Sequence, residues 1–118
     1  MKFFKSFTYA WQGIQFCFKT QMNFKVHLLV FFLVMIAGIF LKISTTEWLF
    51  IISCSALVLS IELINTAMEF LCDMVSKEIH PSIKIIKDLG AAAVLLIAAG
   101  SVIIGIMIFL PKIIARFG

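Results

Sequence analysis

"LGAAAVLLIAAGSVIIGIMIFL", residues 89–110, is a long stretch of the chain without a charged side chain. A helix that crosses a bilayer needs about 20 predominantly apolar residues, because the hydrocarbon core is about 30 Å thick. Backbone groups in lipid must be paired internally, so this stretch is predicted to cross a membrane as a helix. The composition agrees, since 63% of the 118 residues are hydrophobic and 14% are charged. A soluble domain of this size has too little interior for so much apolar surface.

Two further apolar segments precede this stretch. The uncharged runs at 28–41 and 48–61 are short on their own, but their flanks extend them to predicted spans at about 26–43 and 48–71. The third helix is predicted to begin at Pro81, since proline is well tolerated in the first helical turn. That helix is longer than the membrane is thick, so its first two turns are expected to project into the cytoplasm.

Small residues recur along the third span. Ala91, Ala98 and Gly105 are spaced seven residues apart, and Ala93 and Gly100 share that spacing. Small side chains let membrane helices approach closely. Because three helices make a thin bundle, the sequence predicts a homo-oligomer.

Residues 2–22 are predicted to form an amphipathic helix that lies in the membrane interface. At about 100° per residue, its aromatic and aliphatic side chains fall within an arc of about 100°, with lysines on the other side. The apolar set is Phe3, Phe4, Phe7, Trp11, Ile14, Phe18 and Met22. A secretory signal peptide is the alternative, but the apolar run starts late and no small-residue cleavage site follows it.

The basic residues predict the orientation of the chain. With three spans, seven lysines lie on the side of the N-terminus and three basic residues lie on the other side. This asymmetry favours a cytoplasmic N-terminus and an external C-terminus. Basic residues spread along the chain in this way do not indicate a nucleic-acid partner. The two sets are Lys2, Lys5, Lys19, Lys25, Lys77, Lys84 and Lys87, and Lys42, Lys112 and Arg116.

A polar stripe is predicted on the second span, where the helix nears its end. Its five side chains fall within about 100° of arc on one helix. A charge near the bilayer centre costs about 2.5–3.5 kcal/mol, so bound divalent cations or a lysine such as Lys87 are expected to offset it. The alternative is a solvated helix end with ordinary salt bridges. The stripe consists of Glu62, Asn65, Thr66, Glu69 and Asp73.

The histidines and cysteines lack the spacing of a metal site. His27 and His80 are each predicted to be packed or hydrogen-bonded groups. The three cysteines show no close pairing and are predicted to be small packing residues. They are Cys17, Cys54 and Cys72.

The stretch "ELINTAMEFLCDMVSKEIHPSIKIIKDLGAAAVL" (62–95) resembles the prokaryotic membrane-integral diacylglycerol kinase and undecaprenol kinase family. The shared pattern is E-x-x-N-[ST]-A-x-E-x-x-x-D, followed by a histidine and by K-D before small residues. "FTYAWQGI" (7–14) and "NFKVHLL" (23–29) also look like this family. The resemblance covers nearly the whole chain, so 1–118 is expected to be one membrane-embedded lipid kinase domain. It implies a homotrimer in the bacterial inner membrane, with sites shared between subunits.

The resemblance also implies ATP-dependent phosphorylation of diacylglycerol or undecaprenol at the cytoplasmic face, with Mg²⁺. Glu62 matches the catalytic base and Glu69 matches a metal ligand. A second metal-binding glutamate of the family is replaced here by Gln21, which is expected to weaken metal binding. The positions that match nucleotide-binding residues are Lys2, Tyr9, Asn65, Glu78, His80, Lys87 and Asp88. The positions expected near the lipid substrate are Trp11, Phe24, Lys25 and Ala91.

Two other functions stay open on the sequence. A non-catalytic relative that keeps the fold is plausible because of Gln21. A small cation- or proton-conducting protein is the other, since an acidic face in a membrane is also typical of transport. A conduction path needs polar residues across the bilayer, however, and 48–61 offers only serines and one cysteine.

Overall fold

The computed structural model describes residues 2–78 and 80–118 and folds them into four α-helices. The helices are α1 (Lys2–Thr20), α2 (Met22–Phe40), α3 (Thr45–Val75) and α4 (Pro81–Phe117). The last three are each long and apolar enough to cross a membrane. The prediction of an all-α membrane protein, with one N-terminal helix followed by three spans, is therefore confirmed.

The break between α1 and α2 falls at Gln21, whose backbone is extended, with φ −117° and ψ 112°. The predicted surface helix 2–22 therefore ends slightly earlier, at Thr20, and α2 begins directly afterwards at Met22. The sequence placed the start of this span near residue 26. Polar side chains such as Asn23 and Lys25 belong to the first turns of α2, so the apolar run does not mark where the helix starts.

A capping box starts α3. The Ser44 hydroxyl accepts a hydrogen bond from the Glu47 backbone N–H at 3.2 Å, and Glu47 Oε1 accepts one from the Ser44 N–H at 2.9 Å. These bonds satisfy two donors that a helix start otherwise leaves unpaired. The helix is therefore longer than the predicted 48–71 at its N-terminal end, and it continues to Val75 at the other.

The fourth helix begins at Pro81, as predicted, with His80 as its N-cap. It continues through Pro111 to Phe117, beyond the apolar run that ends at residue 110. Proline is tolerated in membrane helices because neighbouring groups satisfy the freed backbone. Two contacts hold the last turns in place: Lys112 Nζ lies 3.1 Å from Glu47 Oε1, and the Arg116 guanidinium lies 4.4 Å from the centre of the Phe40 ring.

The α3 helix is central, since it packs most extensively on α4 and also contacts α2 and α1. A small core of Ile43, Ile51 and Ile108 lies near the turn between α2 and α3. Many large apolar side chains are exposed, which suits a surface that faces lipid or another subunit. A Cβ added at Gly100 or Gly105 would meet no atom of the described chain within 4 Å. These two glycines therefore form no close helix contact with the other described residues of the same chain.

Candidate functional site

Glu62 lies on α3 and is 3% exposed. Its Oε1 lies 2.8 Å from His27 Nδ1 on α2. Both atoms are shielded from solvent, and neither forms a hydrogen bond with the residues that the structure describes. The contact therefore brings two polar side chains of α2 and α3 together in a buried place.

The sequence predicted Glu62 as a site residue but did not connect His27 with it. The pattern on one helix cannot show which side chain a second helix places opposite it. One signal was available, since a histidine at the edge of a membrane span is rare and often functional. His27 stands directly before the uncharged run of α2.

The next layer of the site joins α3 to α1 through Thr66. The Thr66 hydroxyl donates to the Glu62 backbone carbonyl at 2.9 Å, and its oxygen lies 3.4 Å from Cys17 Sγ. Burial is the main cause that raises the pKa of the Cys17 thiol. The hydrogen bond with Thr66 lowers this pKa, and the nearby charge of Glu62 raises it. A buried thiol with a raised pKa stays protonated, which fits the packing role predicted for Cys17. The rings of Phe16 and Phe70 add an edge-on contact at 5.9 Å between the same helices.

Asn65 and Glu69 lie one turn further along the polar stripe. Asn65 Nδ2 donates to Glu69 Oε1 at 3.4 Å, whereas Asn65 Oδ1 is buried and has no hydrogen-bond partner among the described residues. Gly90 of α4 lies against this oxygen, and a Cβ added at Gly90 would overlap it. The absence of a side chain at Gly90 therefore lets α4 approach the polar stripe of α3.

Two exposed ion pairs involve the end of the polar stripe and the first turns of α4. Lys87 Nζ on α4 lies 2.7 Å from Asp73 Oδ1 on α3, and Lys84 Nζ lies 2.6 Å from Asp88 Oδ2 within α4. Lys87 thus does approach the acidic face from the next helix. The lysine pairs directly with Asp73, and it also interacts electrostatically with Glu69.

Other residues expected in the site are spread around this stripe. Phe24 is 2% exposed, and Lys25 Nζ lies 5.4 Å from the centre of the Phe18 ring. Gln21 is half-buried at the break before α2, and its side chain forms no cap hydrogen bond. The exposed positions of this set are Lys2, Tyr9 and Trp11 on α1, Glu78 and His80 in the connection to α4, and Ala91 on α4.

Acidic, histidine and cysteine side chains do not assemble a complete metal site within one chain. Among the residues that the structure describes, no three of these groups come close enough together to hold an ion. The oxygen atoms nearest to such a role are the Glu69 carboxylate and the unpartnered Asn65 Oδ1.

An apolar cleft of about 690 Å³ lies between α1 and the last turns of α3. Its walls include Ile14, Phe16, Phe70 and Met74, and Thr66 borders it. Thr66, which borders the cleft, also donates to the backbone carbonyl of Glu62 one turn earlier on α3.

Known proteins with similar sequences carry lipid kinase names. Residues 8–109 match the family described as prokaryotic diacylglycerol kinase. The chain is 40% identical over 112 residues to a Bacillus subtilis protein named undecaprenol kinase, with 95% of this chain and 91% of that protein covered. It is 38% identical over 111 residues to a Synechocystis protein named diacylglycerol kinase, covering 93% of this chain and 63% of that one. An Escherichia coli protein named diacylglycerol kinase is 25% identical over 114 residues, with 97% and 90% covered.

Proposed function

The chain belongs to the prokaryotic diacylglycerol kinase family, and we propose that it transfers the γ-phosphate of ATP to the hydroxyl group of a membrane lipid, diacylglycerol or undecaprenol. The observation that carries this proposal is the buried carboxylate of Glu62, at the head of a polar stripe that ends in exposed charges. A base among membrane helices suits a lipid hydroxyl. The exposed end of the stripe suits a water-soluble nucleotide.

Glu62 is proposed as the general base. It accepts the proton of the lipid hydroxyl while that oxygen attacks the γ-phosphorus of ATP and ADP leaves. General bases contribute about 10²–10⁴-fold to such rates. Lys87 is proposed to contact phosphate, since phosphoryl transfer depends mainly on positioning and on charge neutralisation. Its ion pair with Asp73 is half exposed and therefore weak, so the ammonium group can exchange to a phosphate oxygen.

The polar groups beside Glu62 fit Mg²⁺. This cation prefers oxygen ligands and is usually held by one or two carboxylates together with substrate phosphates. Glu69 offers a carboxylate, and the buried Asn65 Oδ1 is an oxygen without a partner. When bound, the cation neutralises charge on the ATP phosphates. Gln21 is proposed as a weaker neutral ligand, at the position where the family has glutamate.

The remaining family positions complete the proposal. The cleft between α1 and α3 suits the hydrocarbon part of the lipid, because its walls are apolar and residues of α3 that follow Glu62 line it. The proposed lipid contacts are Trp11, Phe24, Lys25 and Ala91. The proposed nucleotide contacts, besides Asn65 and Lys87, are Lys2, Tyr9, Glu78, His80 and Asp88.

We further propose a homotrimer in the bacterial inner membrane, with the N-terminus in the cytoplasm and the C-terminus outside. Exposed apolar side chains and the unfilled space around Gly105 support contact with other copies. A trimer would also let other subunits supply polar groups to the metal site. The lysine distribution supports the orientation.

The experiment that tests the proposed function uses purified protein in lipid micelles with Mg²⁺ and ATP labelled on its γ-phosphate. Diacylglycerol and undecaprenol are supplied in separate reactions. Labelled phosphatidic acid or undecaprenyl phosphate identifies the acceptor. No labelled lipid in either reaction, with nucleotide still bound, would instead favour the non-catalytic relative that Gln21 makes plausible.

A further inference from the structure

Glu62 lies in the stretch 62–95, whereas the partner of its carboxylate, His27, lies outside that stretch on α2. We infer that His27 is a positioning residue for Glu62. Its Nδ1–H holds Oε1, and Oε2 stays free to receive the proton of the lipid hydroxyl. The inference rests on the proposed function for its catalytic consequence, whereas the contact itself rests on the structure alone.

The distance and the burial together support this pairing. His27 Nδ1 and Glu62 Oε1 are 2.8 Å apart, and both atoms are withdrawn from solvent. An unpaired polar atom in such a place is costly, so each atom stabilises the other only if a proton lies between them. The torsion that turns an imidazole ring is broad, so a small rotation aligns the N–H with the carboxylate.

Other donors near Glu62 are already engaged. The Thr66 hydroxyl donates to the Glu62 backbone carbonyl, so it is not available to the carboxylate. Within the described part of the chain, Oε2 takes part in no hydrogen bond or ion pair. The carboxylate is thus held at one oxygen and open at the other, which is the arrangement that a general base needs.

The surroundings of His27 favour a specific role over simple packing. His27 lies at one end of a 410 Å³ cavity between α2, α3 and α4, which has mainly apolar walls. Phe31, one turn further along α2, lines the same cavity and has no polar atom in its side chain. Of these two wall residues, His27 contacts the Glu62 carboxylate. Replacing His27 removes both a hydrogen-bond donor and a packed ring, whereas replacing Phe31 removes a packed ring alone.

The kinetic test compares three variants in the lipid kinase assay. His27→Leu removes the donor, and kcat should fall by at least about tenfold, the scale on which supporting contacts act, with KM for ATP and lipid within about twofold. His27→Asn restores an N–H near the position of Nδ1, and most of the rate should return. Phe31→Leu is the matched control and should keep the wild-type rate. A wild-type kcat in His27→Leu, or no recovery in His27→Asn, would overturn the inference.

A spectroscopic test is independent of catalysis. The chain has two histidines, so the ring nitrogen resonances of isotope-labelled histidine can be assigned by replacing His80. Glu62→Gln should shift the His27 resonances and leave those of His80 unchanged. Unshifted His27 resonances would disprove the contact even in a protein without kinase activity. A wild-type protein that phosphorylates no lipid would contradict the proposed function and leave this measurement valid.

Discussion

Gly90→Ala is expected to disturb the candidate site without touching any ionisable group. A Cβ at Gly90 would overlap Asn65 Oδ1, so Asn65 or the α3–α4 contact must move. Overpacking of this kind costs about 1–3 kcal/mol, whereas alanine gains about 0.8–1.0 kcal/mol over glycine in a helix interior. Because Asn65 also holds Glu69, its displacement should lower kinase turnover by at least about tenfold, equivalent to about 1.4 kcal/mol.

Gly100→Ala is the matched control, since a Cβ there meets no atom of the residues that the structure describes within 4 Å. Both variants gain the same helix propensity, so the difference between their stabilities isolates the overlap and should be about 1–3 kcal/mol. Thermal unfolding in micelles and lipid phosphorylation measure the two effects. Adding Asn65→Ala to Gly90→Ala should restore stability but not activity. Equal stability and equal turnover of the two glycine variants would refute the reasoning.

Three further predictions concern the base, the metal and the orientation. Glu62→Gln should lower phosphorylation by at least about 100-fold, because the general base is lost, while nucleotide affinity changes little; near-normal turnover would remove Glu62 from that role. Gln21→Glu should lower the Mg²⁺ concentration needed for activity, since added ligand charge strengthens divalent binding; superimposable Mg²⁺ curves would remove Gln21 from the proposed metal site. In a background without native cysteines, a cysteine at Ser82 should react only with reagents in the cytoplasm, and one at Gly118 only with external reagents; the reverse labelling would overturn the proposed orientation.

The sequence was sufficient to predict the membrane-spanning helices, because such helices are recognised from the length of their apolar runs. It was less informative about their ends. The start of α3 depends on the capping box between Ser44 and Glu47, and both residues are polar. The extension of α4 past Pro111 is held by Lys112 and Arg116, whose partners lie on other helices. Charged residues near a span therefore belonged to the helices and did not mark where they stop.

The candidate site was predictable where it lies on one helix. The angular spacing of Glu62, Asn65 and Glu69 follows from helical geometry, and the structure keeps these residues on one stripe. Contacts between helices were not predictable in the same way. The contact between His27 and Glu62 depends on how α2 and α3 are placed relative to each other. The requirement for glycine at position 90 depends in the same way on the placement of α3 and α4. Neither relation has a signal in the spacing along the chain.

The most direct test of the central claim is the stoichiometry between ADP and phosphorylated lipid, measured in one reaction with Mg-ATP and a lipid alcohol. A kinase in which Glu62 deprotonates the lipid should form one phosphorylated lipid for each ADP, and Glu62→Gln should lower both products together. ADP release without a lipid product, or equal formation of phosphorylated lipid by wild type and Glu62→Gln, would contradict the account.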